Sequence, residues 1–207
     1  MKNLALMWVL AGVAVALLAA GDGKPPVSTF TDKRDGKVYK IVKIGSQVWF
    51  AENLNYAAEG SVCYERSTDS CAKYGRLYTW ETAMKACPAG THLPTDDEWT
   101  TLVDYVGGRK TAGTMLKSST GWKNKSGVPA GTNEYGFSAL PSGRGEIYFY
   151  DVSNNGYWWS ATEDNTGNAW FRYICYINEN VGRYYCDKTK CYFSVRCVLN
   201  AEKESQK

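Results

Sequence analysis

The residue types that could carry chemistry are few in this chain of 207 residues. Its one histidine, His92, would have to act as the base in any Ser-His or Cys-His mechanism. His92 lies in "THLPT", a turn that leads into a helix, and this setting favours a structural role. The sequence also contains no G-x-S-x-G elbow, P-loop or G-x-G-x-x-G turn. We therefore predict no catalytic residue and no cofactor.

Metal-ligating patterns are equally scarce. A zinc site needs four Cys or His ligands, usually closely spaced, and no C-x-x-C pair is present. The segment "TEDNTGN" (162–168) offers the hard oxygen ligands that calcium prefers. An Asx-rich turn between two strands uses the same residue types, and we favour that interpretation. We predict no metal site, with calcium at 162–168 as the alternative.

The segment from Asn155 to Lys190 combines bulky aromatic rings with Asn, Asp, Thr and Gly. A core strand would be richer in Val and Ile, and a disordered tail would lack the rings. Alternation along "AWFRYICYI" puts Trp170 and Arg172 on one face of a strand. Phe171 and Tyr173 then lie on the other face. Both faces carry rings, so the pattern does not divide into one dry core face and one ordinary surface.

These rings predict a ligand-binding surface. Exposed aromatic clusters rimmed by polar groups mark interaction sites, and Tyr and Trp give a large contact area at little entropic cost. We predict a binding face built from the segments 148–157, 163–173 and 178–185. The predicted contacts are Tyr150, Trp170, Arg172, Tyr173 and Tyr184. The alternative is a small β-rich domain that uses its rings to fill a thin, irregular core.

Two segments have strong secondary-structure signals. "DGKVYKIVKIGSQVWFAENL" predicts a β-hairpin around Gly45-Ser46-Gln47, because β-branched and aromatic runs lie on either side. "LPTDDEWTTLVDYVGG" predicts a helix in which Thr95 and Glu98 form a capping box. One apolar stripe of that helix, suited to packing on a sheet, is formed by Trp99, Leu102, Val103 and Val106.

The remaining pattern indicates the fold class. A shorter helix in "LYTWETAMKACPAG" should end before Pro88, because the residue ahead of a proline avoids the helical region. From Thr111 onward, short strands alternate with Gly, Asn and Ser turns. Two helices followed by many short strands predict a single α+β domain at 30–199. A linker at 22–29 precedes it, and a solvated tail at 200–207 follows it.

The N-terminus has the features of an export signal. Lys2 is followed by an apolar run from Leu4 to Leu18 and by small residues up to Gly21. The run falls short of the roughly 20 apolar residues of a membrane span. We predict a cleaved signal peptide at 1–21, with an uncleaved anchor as the alternative.

The composition indicates the cellular compartment of the protein and the classes of partner that it can bind. The net charge of +3 comes from 24 basic and 21 acidic residues, and no Lys/Arg-rich stripe supports a nucleic-acid role. Seven cysteines fit an oxidising compartment and a disulfide framework. We predict a secreted, periplasmic or cell-surface protein that binds no nucleic acid and is not inserted in the membrane after signal removal.

Five segments carry a family resemblance: "YGRLYTW" (74–80), "CPAGTHLPTDDEW" (87–99), "GTNEYGFSALPSG" (131–143), "YWWSATE" (157–163) and "FSVRCV" (193–198). In this order they resemble the signature segments of the Fibrobacter succinogenes major paralogous domain. The resemblance implies an exported, surface-associated protein without an established activity. It also implies a fold similar to C-type lectin-like domains and to the formylglycine-generating-enzyme fold. Some relatives vary Asn-, Tyr- and Ser-rich C-terminal positions on a fixed scaffold, which implies a displayed binding surface.

The resemblance also implies one disulfide. Lectin-like folds join the positions of Cys87, after the first helix, and Cys197, in the last strand. Cys63 and Cys71 flank the polar loop "YERSTDS", where a local bridge is natural.

Three cysteines remain, and they cannot all pair. Cys186 and Cys191 bracket "DKTK", and opposed residues on a tight hairpin lie within bridging reach. We favour that pair with Cys175 free, and Cys175–Cys186 is the alternative. Cys186 and Cys191 also have the spacing of the copper-binding cysteines of formylglycine-generating enzymes, but in those enzymes the pair lies well upstream of the final strand.

We therefore predict an exported, non-enzymatic recognition module with a disulfide-stapled, lectin-like α+β fold. Its ligand is expected to be a carbohydrate or another surface protein. One alternative is an exported enzyme on the same fold, either a glycan hydrolase or an oxidoreductase-like relative. The other is a structural module of a surface layer that associates with itself. The adjacent acids Asp96, Asp97 and Glu98 do not favour the hydrolase, because a helix start already explains them.

Overall fold

Ten strands, four α-helices and one short 3-10 helix (Tyr64–Arg66) lie within residues 28–201, the part of the chain that the computed structural model describes. The predicted signal peptide at 1–21, residues 22–27 of the linker and residues 202–207 of the tail lie outside it. The strands are β1 (Ser28–Thr31), β2 (Val38–Ile44), β3 (Gln47–Phe50), β4 (Thr91–His92), β5 (Ser142–Gly145), β6 (Phe149–Val152), β7 (Asn155–Glu163), β8 (Asn168–Cys175), β9 (Val181–Asp187) and β10 (Val198–Leu199). The helices are α1 (Thr68–Tyr74), α2 (Trp80–Ala86), α3 (Asp96–Tyr105) and α4 (Ala112–Leu116).

The strands form two five-stranded sheets. The first has the order β1-β2-β3-β10-β4 and is antiparallel throughout. The second has the order β6-β5-β7-β8-β9, and only its β5–β7 pair is parallel. The predicted α+β class is confirmed, and the lectin-like assignment stays a prediction. Helices α1 and α4 were not predicted, because segments of seven and five residues are too short to show a helical period and, unlike α2, neither is followed by a proline that marks its end.

The predicted hairpin and the predicted helices are confirmed. Strands β2 and β3 pair in antiparallel fashion and leave Gly45 and Ser46 as the turn. In α3, the hydroxyl of Thr95 accepts a hydrogen bond from the Glu98 amide at 3.2 Å, and the Glu98 carboxylate accepts one from the Thr95 amide at 2.8 Å. The shorter helix, α2, ends ahead of Pro88 as expected. Strand β1 takes in residues 28 and 29, which the sequence pattern assigned to the linker.

Strand β7 has an apolar core on each of its faces. On one face Trp158 packs against Trp99, with ring centroids 6.4 Å apart. On the other face Trp159 packs against Phe193, with centroids 4.5 Å apart. Both tryptophans of β7 are fully buried. Rings on both faces therefore do not require an exposed face here, because each face of this central strand is covered by its own core.

Three disulfides close the fold: Cys63–Cys71, Cys87–Cys197 and Cys186–Cys191. These are the pairs favoured from the sequence and the resemblance, and Cys175 is a partly buried free thiol. The Cys87–Cys197 bridge spans 110 residues, a closure worth about 4–5 kcal/mol in the loop-entropy model. Such a framework indicates an extracellular or periplasmic protein. Between residues 28 and 201, no helix combines the length and the apolar character needed to cross a membrane.

Arg196 lies at the centre of a buried polar network. Its side chain is fully buried, and its guanidinium donates to the backbone carbonyls of Phe50 at 3.0 Å, Phe137, and Ser138 at 2.9 Å. Its Nε donates to Oδ1 of Asn53 at 2.7 Å. Burial lowers the pKa of Arg196 to about 9, so the side chain is still charged at neutral pH.

Asn53 extends this network to the second sheet. Its Oδ1 also accepts a hydrogen bond from Nε1 of Trp158 at 2.9 Å. Its Nδ2 donates to the carbonyl of Tyr74 at 2.8 Å and to the hydroxyl of Ser194 at 3.3 Å. That hydroxyl is in turn 2.9 Å from the hydroxyl of Ser142 in β5. The network therefore joins the end of β3 to β5, β7 and the C-terminal segment.

We expect Arg196→Met to lower the free energy of unfolding by at least about 3 kcal/mol. The substitution leaves several buried carbonyls without a donor, and each unsatisfied group costs about 1–3 kcal/mol. Arg109→Met removes an exposed guanidinium and should change the free energy by less than about 0.5 kcal/mol. Urea unfolding measures the free energy of unfolding of both variants. Equal stability of the two variants would contradict a structural role for the buried guanidinium.

Candidate functional site

One group of exposed rings in the C-terminal half lies at an outer strand of the second sheet, β9. We call Trp170 of β8 together with Arg183, Tyr184 and Tyr185 of β9 the edge cluster. Tyr184 is 57% exposed and Tyr185 is 40% exposed. Their rings stack, with centroids 4.8 Å apart and an interplanar angle of 9°. Trp170 meets Tyr185 edge-on at 5.8 Å. The edge cluster is therefore a continuous aromatic surface at the rim of the sheet.

Asp96 holds the edge cluster against helix α3. One of its carboxylate oxygens accepts a hydrogen bond from Arg172 at 2.8 Å, and the other accepts one from Nε of Arg183, also at 2.8 Å. The guanidinium of Arg183 lies 3.4 Å from the ring centroid of Trp170, a cation–π contact. One buried carboxylate thus orients an arginine and, through it, a tryptophan. Sequence reasoning missed this role, because it took Asp96 only as a favourable charge at a helix start.

The predicted surface position of Arg172 is wrong. The residue is 5% exposed, and its Nη2 also donates to the backbone carbonyl of Asp96 at 3.0 Å and to the hydroxyl of Thr100 at 2.8 Å. Burial lowers the pKa of Arg172, although Asp96 opposes this shift. The physical reason is that helix α3 covers this face of β8. Arg183, the residue opposite Arg172 on β9, is the exposed arginine instead.

Tyr173 is partly buried between its neighbours. Its ring stacks on Tyr157 with centroids 6.1 Å apart and an interplanar angle of 29°. It also lies over Gly182, the residue opposite on β9, where a Cβ atom would collide with the ring. Position 182 therefore needs glycine for this close approach. A ligand contact for Tyr173 stays a prediction.

Tyr150 lies at the opposite rim of the second sheet, on β6. It is 40% exposed, and the guanidinium of Arg144 sits 5.2 Å from its ring centroid. Four strand spacings separate β6 from β9, which is roughly 19 Å. The structure therefore does not bring Tyr150 together with Tyr184. The predicted contact residues therefore lie in different places: Tyr184 is at one rim, Tyr150 is at the opposite rim, and Arg172 is in the interior.

The loop at 162–168 is an Asx turn. Oδ1 of Asn165 accepts hydrogen bonds from the amides of Gly167 at 2.9 Å and Asn168 at 3.0 Å. Glu163 forms an ion pair with Lys188 at 2.9 Å. Nowhere in residues 28–201 do three or more His, Cys, Asp or Glu side chains come together as a metal site.

Comparison with known proteins gives one family. A family model described as the Fibrobacter succinogenes major domain matches residues 42–199. The matched range contains the three disulfides, the Arg196 network, Asp96 and the edge cluster. No curated protein and no solved structure was found to match the chain.

We expect Asp96→Ala to lower the free energy of unfolding by about 3–5 kcal/mol, because it leaves Arg172 buried without its counter-charge. Asp97→Ala is the matched control, since Asp97 is the next residue of the same helix turn and is exposed. It should cost less than about 0.5 kcal/mol. Unfolding in guanidinium chloride measures the free energy of unfolding of both variants. A small effect at both positions would refute the anchoring role of Asp96.

His92 should make stability depend on pH. Its Nε2 lies 2.7 Å from Glu98 and its Nδ1 lies 2.7 Å from Asn200. The hydrogen bond to Glu98 is the main cause that raises the pKa of His92 above 6.5. The folded state then binds the proton more tightly than the unfolded state, so this stabilisation is complete below pH 6.5 and is lost as pH rises through the folded pKa. Thermal melts of His92→Gln across this range should lack that decline, and a profile identical to the parent's would contradict the assignment.

Proposed function

The chain belongs to the Fibrobacter succinogenes major domain family, and we propose that it is an exported recognition module whose edge cluster binds a carbohydrate or another surface protein. In this proposal the signal peptide is cleaved and the domain is secreted, periplasmic or displayed at the cell surface. The fold is C-type lectin-like, and the chain carries no catalytic activity of its own.

The exposure of Tyr184 and Tyr185 is the observation that carries the proposal. Several large rings of this half of the chain are buried in the two cores, among them Trp158, Trp159 and Phe193. The two tyrosines are not required there, since 57% and 40% of their surfaces are exposed. Exposed rings next to charged and polar groups are typical of interaction sites.

The edge cluster is also held in place before any ligand arrives. Asp96 fixes Arg183, and Arg183 covers Trp170. The Cys186–Cys191 disulfide closes the turn that follows β9. Little conformational entropy is then lost on binding, which favours affinity for a given contact area.

Both proposed kinds of ligand have support in this geometry. The open ring surfaces of Tyr184 and Tyr185 suit the flat face of a sugar ring. No other strand within residues 28–201 pairs with the outer side of β9. An extended peptide segment of a surface protein can add to such a strand edge through backbone hydrogen bonds. The two ligand classes therefore compete for the same surface, and one set of variants tests both.

We expect Tyr184→Ala and Tyr185→Ala each to weaken binding by more than about 1 kcal/mol without lowering the melting temperature. Ligands for these binding measurements are found by screening the protein on a glycan array. Size-exclusion chromatography tests whether the protein instead associates with itself. Tyr105→Ala is the matched control, because Tyr105 is 58% exposed but lies on helix α3. It should leave binding unchanged.

Two further variants test the partly buried members of the predicted face. Trp170→Ala and Tyr173→Ala should weaken binding if the rings touch the ligand, whereas a core ring would cost about 3–5 kcal/mol of stability. Collapse of all the variants, unchanged binding in all of them, or cleavage of plant-polysaccharide fragments by the parent protein would refute the proposed function.

A further inference from the structure

A second surface feature lies away from the edge cluster. A cavity of about 240 Å³ opens between the segment 117–131 and Tyr176, which follows β8. Its walls include three lysines and two aromatic rings: Lys117, Lys123, Lys125, Trp122 and Tyr176. No aspartate or glutamate lines it. The cavity therefore has a concentrated positive charge beside flat apolar surfaces.

Lys117 is the most unusual member of this wall. It is 2% exposed, and its Nζ donates to the backbone carbonyl of Asn178 at 2.8 Å. An ammonium group has three donors, and within residues 28–201 none of the three cavity lysines forms an ion pair. Burial lowers the pKa of Lys117, and Cys175 and Glu179 offset this only in part. A buried cation without a carboxylate partner is costly, and an anionic ligand would relieve that cost.

The two rings are placed next to the cations. Nζ of Lys117 is 5.4 Å from the ring centroid of Trp122, and Nζ of Lys123 is 5.7 Å from that of Tyr176. Nε1 of Trp122 donates to the hydroxyl of Ser118 and to the carbonyl of Ala139, both at 3.1 Å. The indole is thereby fixed in orientation in the wall of the cavity.

The backbone around the cavity is tied to the second sheet and its neighbours. The amide of Ser118 donates to the carbonyl of Ala139 at 2.9 Å, and the amide of Lys123 donates to the carbonyl of Ser153 at 2.8 Å. Gly131 lies so close to Lys117 that a Cβ atom would overlap its side chain. The wall that carries Lys117 is therefore a built surface and not a loose loop.

We propose that this cavity binds the anionic group of an acidic saccharide, with the sugar ring held against Trp122 and Tyr176. Lys117, Lys123 and Lys125 neutralise the anion, and charge-assisted hydrogen bonds of this kind are stronger than neutral ones. Pockets for drug-sized ligands usually measure about 300–1,000 Å³. The smaller volume here fits one monosaccharide unit, with the rest of the chain in solvent. This inference goes beyond the proposed function, because the cavity shares no residue with the edge cluster.

Titration calorimetry at low and high salt tests the proposal on the intact domain. The probes are a galacturonate tetrasaccharide, its methyl ester, a sulfated galactose tetrasaccharide and a neutral galactose tetrasaccharide. We expect the acid, the sulfate ester or both to bind in a salt-sensitive way, and the uncharged probes to bind at least about tenfold more weakly. The two anionic probes distinguish a carboxylate from a sulfate ester as the recognised group.

Variants of the cavity residues then test whether the anionic probe binds in this cavity. Lys123→Gln/Lys125→Gln removes two exposed charges and should weaken binding of the anionic probe about tenfold or more. Lys43→Gln/Lys85→Gln makes the same charge change at exposed positions elsewhere and should leave the affinity within about twofold. Trp122→Ala should also weaken it, whereas Tyr184→Ala should not, which separates this cavity from the edge cluster.

Three outcomes would overturn the inference. The first is that neither anionic probe binds more tightly than its uncharged counterpart, which is the methyl ester for the galacturonate tetrasaccharide and the neutral galactose tetrasaccharide for the sulfated one. The second is equal loss of affinity in both double-lysine variants. The third is binding of inorganic phosphate or of a short oligothymidylate at least as tight as that of the acidic saccharides, which would identify a general anion or nucleic-acid site.

Discussion

A single buried cation, Arg196, ties together the parts of this domain. It donates to backbone carbonyls at Phe50, Phe137 and Ser138, and it shares Asn53 with Trp158. These groups come from both sheets and from the segment between α4 and β5. Within residues 28–201 the guanidinium forms no ion pair, and its hydrogen bonds go to neutral oxygens at defined positions, with Glu52 as a more distant favourable charge. These hydrogen bonds require a defined relative placement of the chain segments, so the network contributes to how the two sheets meet.

This arrangement determines which parts of the second sheet are exposed. The network and the two cores cover both faces of β7, and helix α3 covers one face of β8 through Asp96 and Arg172. The middle of the sheet is therefore largely covered, although Tyr173 and Cys175 of β8 are only partly buried. The more exposed rings of this sheet lie at its rims, as Tyr150 and Tyr184 do. The edge cluster lies at such a rim, and the lysine-lined cavity lies against the segment 117–131.

Features that depend on neighbouring residues were predictable from the sequence. The Thr95–Glu98 capping box, the hairpin turn and the two short-range disulfides are of this kind. Alternation along β8 also separated Arg172 from Phe171 and Tyr173 correctly. Alternation cannot say which face another element covers, however, and that depends on an aspartate 76 residues earlier. For the same reason the pattern could not show that Tyr150 and Tyr184 lie at opposite rims, because strand order in a sheet is a property of the whole fold.

The disulfide between Cys87 and Cys197 also determines how this domain carries a mechanical load. Strand β10 contains only Val198 and Leu199, and it is inserted between β3 and β4 by a few backbone hydrogen bonds. Tension applied beyond Leu199 would peel such a short strand away if hydrogen bonds alone resisted it. The covalent bond at Cys197 passes the force directly to the end of α2 before the Arg196 network is loaded. A pull from the C-terminal side can therefore peel β10, but it meets a covalent bond at Cys197 ahead of Arg196 and its network.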